Sequence, residues 1–513
     1  MVNKTVLFKN SSGVATGKTS QTVLLLLVIF AYVILIRMPQ FLSNNLLPDQ
    51  DECVIGMMAN HFLKGQHFPV FFYGQHYGLS TIEVLFVASG IKLFGLTALA
   101  IKLPMLLLYL LAITFLFLWV KNNLGLLMAF LITLLFCAEP TWLLWAMKAR
   151  GGYLSALLIG FYLLYSWQKN TSKKYHYLCN AFLMGLLYHF HSLWFLAFAP
   201  LFFYYQKQIG IKKLLYATTV AVATMLFFYI LAQKSTALWY MPATQFHLPV
   251  DAGTWYKNFM LFLSGHFYFG YAYNLKYGTL VAIKLLFALH LFIIAITLYL
   301  LLKKKLISEL LLCFLIVLML FFLPLCAFKG VFHFRYWLPF SVTFIALTVV
   351  VIKEINWPQL KYVFSIVVIV IAFFGYRAGN DIAKMDIYSD YFLKQKNEKE
   401  QHLLNLIADL KTADKKYYLC NDIALMWLLN YYGDDKVLTR WRISKDRHNS
   451  QVQEINNYYF KNKKIDLLGA KFSFKEWLPD TANLKVKWIG EDYYLIENID
   501  ALMLDKHSYR FGD

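Results

Sequence analysis

The stretch from Leu280 to Leu302 reads LVAIKLLFALHLFIIAITLYLLL and runs straight into Lys303, Lys304 and Lys305. As an α-helix rising about 1.5 Å per residue it is long enough to cross a hydrocarbon core of about 30 Å. The lysines that close it mark the cytoplasmic end of such a span. Further apolar runs cover Val23 to Ile36, Leu103 to Val120, Leu306 to Cys326, Pro339 to Ile352 and Val363 to Phe374, with a shorter one from Leu124 to Ala138. Of the 513 residues, 59% are hydrophobic and only 15% charged, a balance that excludes a water-soluble globule. The chain reads as an α-helical polytopic membrane protein. Lys4, Lys9 and Lys18 precede the first run, which lacks a small-residue cleavage site, so it is expected to stay as an uncleaved helix.

The formal charge of +20 does not point to nucleic acid. Basic residues fall in short loops: Lys121, Lys169 to Lys174, Lys207 to Lys213, Lys303 to Lys305 and Lys353 to Lys361. All of these face the cytoplasm if the amino terminus does and about eleven helices cross. That parity requires the short apolar segment Thr81 to Phe94 to lie in the outer interface as a juxtamembrane helix. The expected organisation is a cytoplasmic tail (1–20), a membrane module (21–377) and an extracytoplasmic soluble α/β domain (378–513). In that last part Leu403, Leu404, Ile407 and Leu410 fit one helix face, Tyr417 to Cys420 a strand and Ile423 to Tyr431 a second helix. Lys485 to Ile489 and Tyr493 to Asn498 fit a hairpin around Gly490. Six cysteines show no spacing for zinc or for a disulfide framework, although Cys53 and Cys420 could both face outward.

The chemistry is expected in the outer loops. In Leu46-Leu47-Pro48-Asp49-Gln50-Asp51-Glu52, followed by Val54, Met57, Met58 and Phe62 at helical spacing, Asp49 can cap a surface helix and Glu52 can close a capping box. Asp51 is then left over in the first turn, at head-group level. Later in the same loop the aromatic and glycine-rich Phe71-Phe72-Tyr73-Gly74-Gln75 leads to Glu83, a carboxylate that is costly on an apolar interfacial helix unless it meets water or a partner. The second loop ends Lys148-Ala149-Arg150-Gly151-Gly152-Tyr153, in which two glycines beside a cation and a helix amino terminus suit an anion; helix-end anchoring by snorkelling cations is the plain alternative. His189 and His191 flank the next outer turn. Lys329, His333, Arg335 and Tyr336 bring cations to the mouth of a late helix, against the usual charge bias.

In their order, these stretches resemble the membrane-embedded C-type-fold glycosyltransferases, in the branch of protein mannosyltransferases and bacterial aminoarabinose transferases grouped as family thirty-nine. Asp51-Glu52-Cys53-Val54-Ile55-Gly56 resembles the first-loop acidic motif, Phe72-Tyr73-Gly74-Gln75 with Glu83 a variant common among bacterial members, Lys148 to Tyr153 that variant's second-loop motif, and Arg335-Tyr336-Trp337-Leu338-Pro339 the late arginine-tyrosine-proline motif. Two departures stand out: the second-loop acid, Glu139, lies well before Arg150, and no lysine-proline pair of the aminoarabinose transferases is present in the first loop.

The resemblance implies an enzyme of the bacterial inner membrane that moves a sugar from a polyprenyl-phosphate donor to a hydroxyl of a glycan, lipid or protein acceptor, with inversion. Asp51 would be the base and Glu52 would orient it or the sugar. Arg150, Tyr153, His191, Lys329, His333, Arg335, Tyr336 and Glu83 would serve the donor phosphate and substrate. A divalent cation between the acids would suit their hard oxygens, although no full ligand set is visible. The outer domain is expected to help hold the acceptor. A transporter or flippase of lipid-linked sugars, or an oligosaccharide polymerase or ligase, would use similar loop cations; transporters, however, usually place charge near the bilayer midplane.

Overall fold

The structure is a computed structural model that describes residues 18–42, 46–66, 68, 70–73, 78–168, 174–234, 252–253, 256, 277–303, 308–327, 338–355, 358–384, 399–413, 415–441, 464–471 and 484–500. Helices α1 (Lys18–Leu35) and α2 (Met38–Phe41) lead into α3 (Gln50–Leu63) and α4 (Thr81–Phe94). The membrane bundle continues with α5 (Ala98–Leu124), α6 (Leu126–Ala138), α7 (Pro140–Trp145), α8 (Tyr153–Gln168), α9 (Lys174–Phe190), α10 (Ser192–Gln208) and α11 (Ile211–Lys234). It ends with α12 (Tyr277–Lys303), α13 (Ser308–Ala327), α14 (Leu338–Glu354) and α15 (Pro358–Lys384), the last running past the boundary expected at residue 377. Segments in α5, α11, α12 and α15 are long and apolar enough on their own to cross a membrane. Helix α4, 14 residues long, carries Glu83 in its first turn and Lys92 in its last and packs on α3 and α5.

Contacts between helix ends fix the two faces of the bundle. Lys121 Nζ donates to Thr22 Oγ1 at 2.7 Å, Gln168 Nε2 to the Trp119 carbonyl at 3.1 Å, and Tyr205, stacked on Trp167, to Glu309 at 2.6 Å. The helix ends beside the basic loops at Lys121, Lys169 to Lys174 and Lys207 to Lys213 therefore gather at one end. At the opposite end Arg37 Nη2 donates to the Trp142 carbonyl at 2.8 Å, and Asp381 accepts from the Thr279 backbone N–H at 3.0 Å. Helices α1, α5, α6 and α8 to α15 pass between these ends in alternation, and the acid and cation loops share the second.

The C-terminal domain has helices α16 (Lys399–Thr412) and α17 (Ile423–Gly433) and strands β1 (Tyr417–Cys420), β2 (Leu438–Trp441), β3 (Lys464–Ala470), β4 (Val486–Ile489) and β5 (Tyr493–Asp500). The sheet order is β2-β1-β3-β5-β4, with β1 parallel to β2 and β3 and the β4–β5 hairpin antiparallel around Gly490, at φ +59°. Alternation along the strands divides the core: Leu419, Leu467, Tyr494 and Ile496 pack on one face, while Tyr418, Cys420, Leu468 and Leu495 join the helices and the bundle on the other. One expectation is corrected. On α16 the buried face is Leu403, Leu406, Ile407 and Leu410, and Leu404 is exposed, because the helix turns its 403–407–410 stripe inward and takes 406 with it. Cys53 in α3 and Cys420 in β1 are both buried free thiols.

Candidate active site

The capping box forms as its spacing demands. Asp49 Oδ1 accepts from the Glu52 N–H at 3.1 Å, and Glu52 Oε2 accepts from the Asp49 N–H at 2.9 Å. Its two acids do more than cap. Asp49 Oδ2 also accepts from Lys148 Nζ at 2.8 Å and from Arg150 through Nε at 3.0 Å and Nη2, so the loop before α3 and the loop before α8 are tied together by one carboxylate oxygen. Burial alone would raise the Asp49 carboxyl, but Arg150 and Lys148 hold it well below the usual carboxylate range. It is a permanent anion and a poor proton acceptor.

Glu52, expected to work beside Asp51, instead points into the protein. Its side chain is fully buried, and both carboxylate oxygens accept from Lys102 Nζ, at 2.6 and 2.7 Å. One residue along a helix is a turn of about 100°, which carries Glu52 away from the face of Asp51. Asp51 keeps 39% side-chain exposure and lies 3.5 Å from Arg150 Nη1. Among the acids of this first turn it is the one with open access.

Glu83 finds its partner in backbone. It is buried, with Oε2 accepting from the Arg150 N–H at 3.0 Å and Oε1 from the Leu154 N–H at 3.1 Å, so it caps α8 and holds the turn that carries Arg150. That turn needs its glycines: Gly151 and Gly152 have φ of +61° and +102°, and a Cβ on Gly152 would lie 3.0 Å from the Leu79 carbonyl oxygen. Burial pushes the Glu83 carboxyl up to about 7 against the lowering by the backbone N–H groups of Gly152, Ser155, Leu154 and Arg150. A carboxyl raised above its unfolded value stabilises the fold fully at pH below that value, and the contribution fades as pH climbs through about 7. Thermal unfolding in nanodiscs from pH 5 to 8 should therefore show a decline that Glu83→Gln, neutral throughout, flattens; an equal slope in both proteins would refute this.

The remaining wall is aromatic. Arg150 lies over Trp145, 5.2 Å from the ring centroid; Trp145 packs on Tyr153 at 4.9 Å, and Tyr153 on His191 at 4.7 Å. His191 Nδ1 accepts from the Leu193 N–H, capping α10, which leaves Nε2 to donate to the Tyr153 hydroxyl at 3.1 Å in the neutral ring. Of the residues expected at the site, Asp51, Glu83, Arg150, Tyr153 and His191 thus gather at one mouth. Lys329, His333, Arg335 and Tyr336 lie outside the described residues. His189 is set apart, with Nε2 bonded to the Met225 carbonyl at 2.8 Å. Its own carbonyl receives the N–H groups of Gly78 and Leu79, docking the first loop on α9. Sequence reasoning missed Lys102 as a partner for Glu52 and Asp49 as a second role for a cap.

The donor set does not suit a divalent ion between the acids. Asp49 is already balanced by Lys148 and Arg150, and Glu52 by Lys102. Among the described residues no group of three His, Cys, Asp or Glu side chains converges to hold a metal.

The sequence matches no protein-family model and no curated protein. Among solved structures it is similar to ArnT from Cupriavidus metallidurans in the apo state, at 11% identity and a TM-score of 0.60 over 95% of this chain and 99% of that one. It is equally similar to the same ArnT bound to undecaprenyl phosphate, at 10% identity and a TM-score of 0.60 over the same shares of both chains. The Archaeoglobus fulgidus oligosaccharyltransferase tethered with an acceptor peptide follows, at 11% identity and a TM-score of 0.51, covering 88% of this chain and 69% of that one. At such identities the likeness is one of architecture: the chain has the C-type fold of polytopic membrane glycosyltransferases that its loop motifs led us to expect.

Proposed function

We propose that the protein is a glycosyltransferase that moves a sugar from a polyprenyl-phosphate carrier to an acceptor hydroxyl, at the extracytoplasmic mouth of the bundle. The observation that carries this reading is the placement of Arg150: held by Asp49 and stacked on Trp145, it stands 3.5 Å from the accessible carboxylate of Asp51. Transfer from a phosphate ester with inversion requires a base on one side of the anomeric carbon and an anion-binding group on the other, and a sugar phosphate that enters this mouth would part the contact between Asp51 and Arg150 and lie between them. The acceptor oxygen attacks the anomeric carbon opposite the phosphate, the bond from that carbon to the phosphate oxygen breaks with its electron pair, and the configuration inverts. Asp51 takes the acceptor proton, and Arg150 stabilises the departing phosphate. Glu52 and Glu83 hold the two loops in place from behind, and Tyr153 and His191 line the sugar side. The fold shared with an ArnT bound to undecaprenyl phosphate supports a lipid-linked donor.

The test is reconstitution of the purified protein in vesicles with a panel of polyprenyl-phosphate sugars, read by mass spectrometry of donor and product. Arg150→Met, which keeps length and apolar stacking, should weaken binding of polyprenyl phosphate by about 10- to 100-fold, the value of a charge-assisted contact of about 1.5–3 kcal/mol. Undiminished binding would take Arg150 out of the donor site. Translocation of the intact lipid-linked sugar without transfer would replace the enzyme with a flippase.

A further inference from the structure

The far end of α3 is gripped by the C-terminal domain. Two successive residues after α17, Asp434 and Asp435, adopt left-handed conformations, with φ of 56° and 61°, a backbone that aspartate tolerates better than most residues. The turn they make presents both carboxylates to α3. Lys64 Nζ reaches Asp434 at 2.7 Å and Asp435 at 2.6 Å, Asn60 Nδ2 donates to Asp434 at 2.8 Å, and His61 Nε2 meets Asp435 at 3.2 Å. Through its other ring nitrogen His61 also holds the Tyr73 hydroxyl of the first loop, at 2.9 Å. One turn nearer the acids, Gly56 is the seat for Tyr431: a Cβ there would fall 2.5 Å from a Tyr431 ring carbon. The Tyr431 hydroxyl donates to the Thr97 carbonyl at 3.0 Å, just ahead of α5. The last glycine of the Asp51-to-Gly56 motif therefore serves the C-terminal domain and not the substrate.

One rigid helix thus carries Asp51 in its first turn and the C-terminal domain's grip in its last, about 20 Å apart for 13 residues. We propose that Asn60, His61 and Lys64 are positioning residues: through them the Asp434–Asp435 turn sets the placement of α3 and hence of Asp51 beside Arg150. The inference rests on the proposed transfer reaction for its catalytic consequence, but the grip itself can be read without it.

The experiment compares Lys64→Glu, which sets a third acid against two aspartates, with Lys64→Arg in the full-length protein in nanodiscs. Lys64→Glu should speed hydrogen exchange of the Val54 to Met58 amides by about tenfold or more as α3 loosens. It should also lower kcat by about 10- to 100-fold, the cost of slight misplacement of a reacting group, while KM for the donor stays within about twofold. Lys64→Arg should restore both readings. Native exchange or native kcat in Lys64→Glu, a loss carried by KM, or failure of Lys64→Arg would each overturn the proposal. Should Lys64→Glu not fold, Gly56→Ala, which strains the same interface at Tyr431, takes its place with the same expectations. If the native protein transfers no sugar, the reaction assignment fails, and the exchange readings still decide the grip.

Discussion

Asp51→Asn is expected to cut sugar transfer by about 10²- to 10⁴-fold, the usual worth of a positioned general base, while binding of the carrier lipid is retained. The substitution is nearly isosteric, and asparagine is tolerated in the first turn of α3, so the capping box between Asp49 and Glu52 survives. What is lost is a proton acceptor with open access. Neither neighbour can replace it: Asp49 is held as a permanent anion by Arg150 and Lys148, and Glu52 is sealed against Lys102. Arg150 loses one carboxylate at 3.5 Å but keeps its bonds to Asp49 and its stacking on Trp145, so donor affinity should change little. Rates of transfer and equilibrium binding of polyprenyl phosphate, measured on the same preparation, separate the two effects. Transfer at the native rate would remove Asp51 from the mechanism, and loss of binding in step with transfer would make it a structural residue.

How far this site could be read in advance depended on the range of each interaction. The capping box is local: Asp49 and Glu52 at three-residue spacing dictate it from a few neighbours, and it formed; the left-handed backbone of Gly151 and Gly152 came only with the structure. The contacts that make a site of these pieces span about a hundred residues, from Asp49 to Lys148 and Arg150, and nothing in either segment names the other. Glu83 announced that it needed a partner, but its partners are backbone N–H groups, which have no sequence signature. In the C-terminal domain the hairpin around Gly490 was legible from its turn. Strands β2 and β3 were not, since both pair in parallel with β1 across intervening elements and no tight turn announces such a pairing.

Lys102 left a signal that could have been used: a lysine five residues into a long apolar helix is costly unless it is paired, and the nearest unassigned acids were in the loop before it. Its removal should produce the largest loss of stability in the molecule. Lys102→Met preserves the stem that packs in α5 but strips Glu52 of the ammonium bonded to both its oxygens, at a position with no solvent exposure. Breaking one side of a buried ion pair costs about 3–5 kcal/mol, because the charge left behind has neither water nor a counter-ion. The loss should be greatest at neutral pH and shrink on acidification, as Glu52 escapes by taking up a proton. Pairing the change with Glu52→Gln should recover most of the loss, since a neutral amide oxygen can still accept from the Asp49 N–H and leaves no stranded charge. Thermal unfolding of the three variants in nanodiscs measures this coupling directly. If Lys102→Met with Glu52→Gln is no more stable than Lys102→Met alone, the lysine acts through packing and not through charge. The same pair joins α3 to α5 at the level of Asp51, so recovery of stability by the double variant should bring back part of the transfer rate as well.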